Sequence, residues 1–104
     1  MIRKAFVLQL DPGHEADYQK RHNPLPADLE AALKAGGAHN YSIFLHEGTL
    51  QLFCYVEIED EARWEAVAQT PACQRWWKSI REIMPSNADN SPISVSLREM
   101  FHLD

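Results

Sequence analysis

At 104 residues, with 45% hydrophobic side chains, the chain has the length of one domain, residues 1–104, and a thin core, so a second copy would be a direct way to bury more surface. A formal net charge of −5 without any basic stripe argues against a nucleic-acid partner and against an anionic membrane surface. After Met1-Ile2-Arg3-Lys4 the apolar run is broken by Gln9, Asp11 and His14, so neither a signal peptide nor a membrane span is expected, and the expected location is the reducing cytoplasm.

Ala5-Phe6-Val7-Leu8-Gln9-Leu10 is rich in strand-forming side chains and predicts a first strand. Asp11-Pro12-Gly13 ends it, with Asp11 a candidate N-cap and Pro12 a candidate first residue for a helix through Glu15, Tyr18 and His22. Pro24 stops that helix, because a residue preceding proline is pushed out of the α region. Pro26 to Ala35 predicts a second helix with Leu29 and Leu33 on one face, and Gly36-Gly37 closes it. Two strands, Asn40–Leu45 and Leu50–Ile58, flank His46-Glu47-Gly48-Thr49, a hairpin turn in which Gly48 is expected to take positive φ. Glu59-Asp60-Glu61 opens a helix through Trp64 and Val67, with acids at its positive end. Thr70-Pro71 caps a longer helix, Ala72 to Met84, and a polar loop from Pro85 to Pro92 leads to a last strand, Ile93–Leu97.

The order β, α(α), β, β, α(α), β predicts an α+β fold: the ferredoxin-like split βαβ arrangement, a four-stranded antiparallel sheet with helices on one face. The other face needs cover, and a second copy of the chain could supply it.

Tyr18 and His22 stand four residues apart, so on a helix the phenol and the imidazole share a face. Imidazole is the side chain best matched to moving protons near neutral pH. Trp76 and Trp77 offer flat apolar surface, although adjacent helical residues diverge by roughly 100°, which favours one in the core and one toward a ligand. An acid/base pair beside indoles points to a small neutral ligand with C–H faces, such as a sugar. Asn40-Tyr41 adds an amide beside a phenol, and Asn87, Asp89 and Asn90 read either as a polar lid or simply as turn formers.

The five histidines, His14, His22, His39, His46 and His102, lack the close spacing of a zinc or iron site, and no cysteine stands near them. Cys54 and Cys73 each fall in an apolar run, where a buried thiol is expected. No glycine-rich phosphate loop is present, which disfavours nucleotide cofactors.

Several segments resemble the L-rhamnose mutarotase family: Ile2-Arg3-Lys4-Ala5-Phe6, Tyr18-Gln19-Lys20-Arg21-His22-Asn23-Pro24, Gly37-Ala38-His39-Asn40-Tyr41, Cys73-Gln74-Arg75-Trp76-Trp77-Lys78 and Asp89-Asn90-Ser91-Pro92. The resemblance spans essentially the whole chain. It implies a dimeric α/β-barrel fold and cofactor-free interconversion of the α and β anomers of L-rhamnose. It further implies that His22 is the proton donor and that Tyr18, Tyr41, Trp76 and Trp77 contact the sugar. One departure stands out: after Asn23-Pro24 the family pattern has a tryptophan followed by Pro-Glu, whereas this chain reads Leu25-Pro26-Ala27-Asp28. Two rival readings share the expected architecture. One is a cofactor-free monooxygenase or haem-degrading enzyme, the other a non-catalytic small-ligand-binding module.

Overall fold

The computed structural model describes residues Met1–Asp104. Four strands, β1 (Ile2–Gln9), β2 (Ala38–His46), β3 (Gln51–Ile58) and β4 (Val95–Leu97), form one antiparallel sheet in the order β2-β3-β1-β4. Helices α1 (Glu15–Arg21) and α2 (Ala27–Ala35) follow β1, and α3 (Glu61–Ala66) and α4 (Pro71–Ile80) follow β3. This is the ferredoxin-like arrangement anticipated from the element order.

Alternation along β3 explains the layering. Leu52, Cys54, Val56 and Ile58 are buried beneath the helices, while Gln51, Phe53, Tyr55 and Glu57 between them face outward. Val56 and Ile58 are fully buried, which for side chains of this size is worth roughly 1.5–3 kcal/mol each. The register aligns Phe6 with Cys54 and Leu8 with Leu52 on the inner face, and sets Val7 opposite Phe53 on the outer one. On the inner side Leu8, Leu10, Tyr18, Leu52, Cys54, Ile80, Ile83 and Met84 form the main cluster. A smaller one, Leu29, Val67 and Cys73, lies under α2. The outer face is apolar and bare: Phe44, Phe53, Val95 and Leu97 are all exposed.

The helix ends carry local explanations. Thr70 caps α4, its hydroxyl accepting from Cys73 N–H at 3.2 Å with Pro71 at the first position. Asp60 caps α3 through Arg63 N–H at 2.9 Å. At the end of α2, Gly37 takes φ +83°, and Gly36 lies so close to Val67 that an added Cβ would stand 2.2 Å from its Cγ2.

Three local expectations are corrected. Helix α1 starts after His14 rather than Asp11, because Pro12-Gly13 forms a turn and Gly13 takes φ +85°. In the β2–β3 turn it is Leu50, at φ 60°, that adopts the left-handed conformation and not Gly48; Leu50 N–H donates to His46 O at 2.8 Å and closes the turn. The final strand is only Val95–Leu97. No helix is long and apolar enough to cross a membrane.

Candidate active site

Helix α1 is short because Asn23 ends it: its backbone N–H donates to Lys20 O at 3.2 Å and its side-chain amide to Gln19 O at 2.8 Å. His22 therefore sits at the C-cap with its backbone still helical, φ −91° and ψ −10°. That conformation brings the ring back over the preceding turn. Its Nδ1 lies 2.7 Å from the backbone carbonyl oxygen of Tyr18. A carbonyl can only accept, so Nδ1 carries a hydrogen and Nε2 keeps the lone pair in the neutral ring. The orienting group is thus the main chain of Tyr18, while its phenol is left for other work.

The Tyr18 and His22 rings lie 4.4 Å apart between centroids, and His22 meets Trp76 edge-on at 4.9 Å. Burial is the leading influence on His22 and lowers its pKa from the ordinary 6.5, opposed by the bond to the Tyr18 carbonyl. The imidazole is accordingly neutral at pH 7. Tyr18 is buried, and desolvation drives its phenol well above the ordinary range, so the O–H stays protonated as a hydrogen-bond donor.

Trp76 and Trp77 are both half-buried, and both pack against both core clusters. The expected division into one core indole and one ligand-facing indole gives way to a shared role, because α4 lies in the seam between the two clusters. Every sealed side-chain nitrogen or oxygen in partly or fully buried residues has a partner. The hydroxyl of Tyr18 and the indole N–H groups of Trp76 and Trp77 bond to no protein atom, so they open onto accessible space.

Tyr41 reaches the region by a bulge. The β2–β3 pairing skips between His39 and Ser42, and Asn40 takes φ 49°, a conformation asparagine tolerates. The extra residue changes the phase of the strand and turns Tyr41 to the helix side, where its ring meets Phe6 at 6.4 Å and Trp64 at 6.0 Å. Over a third of the residue is exposed, yet its hydroxyl end is deep enough for burial to push its pKa strongly upward, with smaller contributions from Cys54, Tyr18 and Cys73. The ring contacts of Tyr41 are with Phe6 and Trp64.

Two residues were not singled out from sequence. Arg21 clamps α1 to the end of α4: it donates to Asp17 at 2.9 and 3.0 Å, to Glu82 at 2.6 Å and to Ser79 O at 2.8 Å. The Asp17–Arg21 spacing was the available signal. Trp64 flanks Tyr41 and lines an open groove of about 370 Å³ with Lys4, Phe6, Glu61 and Ser96, across which Lys4 pairs with Glu61 at 3.0 Å. Asn87, Asp89 and Asn90 serve a turn: Asn87 N–H donates to Ser91 O at 2.7 Å, Ser91 N–H to Asp89 Oδ1 at 2.9 Å, and Asn90 takes φ 74°. At the departure after Pro24, Leu25 packs on the α2 cluster, whereas Pro26 lines a separate groove beside Trp76. Both cysteines are free and buried, and burial raises the thiol of Cys54 to about 12 and that of Cys73 to about 11.

Fold and site together define a small ferredoxin-like α+β protein with a neutral imidazole and a protonated phenol set among indoles. An antibiotic biosynthesis monooxygenase of known structure shares the architecture, with a TM-score of 0.63 over 96% of this chain and 99% of that one, at 14% identity, a likeness of fold alone. The description L-rhamnose mutarotase belongs to the family profile that matches residues 3–103. The L-rhamnose mutarotase of Opitutus terrae is 64% identical over 104 residues, the whole of both chains. The crystal structure of L-rhamnose mutarotase from Formosa agariphila superposes with a TM-score of 0.91 at 34% identity, covering 100% of each chain. The chain belongs to the L-rhamnose mutarotase family.

Proposed function

We propose that this chain interconverts the α and β anomers of L-rhamnose by proton transfer alone, with His22 as the group that moves the proton. The observation that carries this reading is the fixed tautomer of His22, whose Nδ1 is held by the Tyr18 carbonyl at 2.7 Å beside Trp76. Nε2 is left as a base that becomes an acid once it has taken a proton.

The chemistry balances without an oxidant or reductant. Nε2 takes the proton of the anomeric hydroxyl, the C1–O1 bond becomes a carbonyl, and the bond from C1 to the ring oxygen breaks. The ring oxygen receives a proton from the imidazolium. Both oxygens are attached to C1, so one nitrogen can serve each in turn. The aldehyde end rotates, and the reverse steps close the ring on the other face. Tyr18, kept protonated by burial, donates a hydrogen bond to a sugar oxygen. Tyr41 contributes a second phenol, and Trp76 and Trp77 cover the C–H face and the methyl group of the 6-deoxy sugar. None of these steps needs a cofactor.

Family membership favours this reading over the monooxygenase one, for which the support is fold likeness at 14% identity. Saturation-transfer NMR on L-rhamnose tests it directly: the protein should transfer saturation between the two anomeric protons. Unchanged exchange between blank and protein would remove the reading. We further propose that a second copy covers the outer sheet face, where Phe44 is 69% and Val95 63% exposed.

A further inference from the structure

A groove of about 350 Å³ runs between the end of α1, the start of α2 and α4, lined by Arg21, Pro26, Asp28, Arg75, Trp76 and Ser79. Trp76 belongs to two places at once. It meets the His22 ring at 4.9 Å, and it forms a wall of this groove. Trp76 is therefore the residue that the groove shares with the surroundings of the His22 ring.

The lining has the chemistry of a carbohydrate subsite: an indole, a guanidinium–carboxylate pair and a hydroxyl. Arg75 pairs with Asp28, and their side chains remain 65% and 51% exposed, so both can also meet sugar hydroxyls. Charge decides between ligand classes. Each guanidinium already faces carboxylate, Arg75 through Asp28 and Arg21 through Asp17 and Glu82, so neither offers an uncompensated charge to an anion. A neutral polyol fits; a sulfate or uronate does not. The volume lies near the small end of ligand pockets, roughly 300–1,000 Å³, room for about one pyranose ring.

We propose that this groove is a second sugar subsite that takes a neutral pyranose linked to the L-rhamnose held at His22, so that reducing disaccharides ending in L-rhamnose are substrates. The inference rests on the function proposed above. The anomeric carbon of such a disaccharide is free, so the reaction is unchanged and only binding is extended.

The test compares free L-rhamnose with reducing disaccharides in which a neutral hexose is joined to O2, O3 or O4 of L-rhamnose. Anomer exchange is followed by saturation-transfer NMR. At least one linkage should show a KM about tenfold below that of free rhamnose. Pro26→Trp, which fills the groove while keeping the carbonyl that accepts from Glu30 N–H, should erase that advantage and leave rhamnose exchange within about twofold. Arg75→Ala, a change at an exposed side chain, should do the same if the tryptophan variant does not fold. Rhamnose exchange with no linkage preferred overturns the subsite, as does an equal loss for both substrates in the variants. If rhamnose itself is not exchanged, the proposed activity fails. Ligand-observed NMR with the methyl glycosides of the same disaccharides then decides the groove separately: binding lost in Pro26→Trp supports it, and no binding to the unaltered protein removes it.

Discussion

His22 is held by a backbone carbonyl rather than by a carboxylate, and this shapes its chemistry. A carboxylate partner would favour the imidazolium, whereas partial burial beside Tyr18 and Trp76 favours the neutral ring. His22→Ala should lower anomer exchange by about 10²–10⁴-fold with the circular-dichroism spectrum unchanged. The acid limb of kcat/KM should lie below the ordinary imidazole value of 6.5, because the pKa is lowered, and it should vanish in the variant. Stability carries the matching sign. Below 6.5 the unfolded chain binds a proton at this ring more readily than the folded one, so the contribution of the neutral ring is full above 6.5 and is lost as pH falls through the lowered folded pKa. Urea midpoints of the parent should fall more steeply across that window than those of His22→Ala.

At the scale of elements, the site exists because α1 and α4 are held in one relative position. Arg21, oriented by Asp17 within α1, makes that connection through Glu82 and the Ser79 carbonyl, with its side chain only 21% exposed. Arg21→Ala should reduce exchange about tenfold or less while leaving the acid limb in place, since it displaces the imidazole without removing it. A disappearance of the limb would instead mean that Arg21 acts on the proton itself. At the other end of α2, Gly36→Ala would drive a methyl into Val67, and overpacking of this kind costs about 1–3 kcal/mol. A shift in urea midpoint without a change in exchange per folded molecule is the expected result. The sequence had most of these elements legible, and their physical causes are local: Thr70-Pro71 as a cap, Gly36-Gly37 as a stop and the strand-forming run within Leu50–Ile58. Turn geometry was less legible. Leu50 takes the left-handed conformation beside an available glycine because strand pairing on both sides dictates where the turn must close.

At the scale of the molecule, one sheet face carries the helices and the other carries exposed Phe44, Phe53, Val95 and Leu97. This bare apolar face is where the second copy proposed above would sit. Phe44→Asp should convert a dimer into a monomer in light scattering, with the inner-face core intact. A parent protein that is monomeric at micromolar concentration would remove the proposed pairing.

The element order and the Tyr18–His22 pairing were both determined by the sequence itself, because they depend on local composition and on neighbours within one turn. Tertiary structure alone decided the rest. The Asn40 bulge that turns Tyr41 inward appears only when β2 meets β3, and the meeting of Trp76 with His22 requires α4 to pack on α1. Contacts between distant segments have no local signature, since their energy is realised only once the whole chain has folded around them.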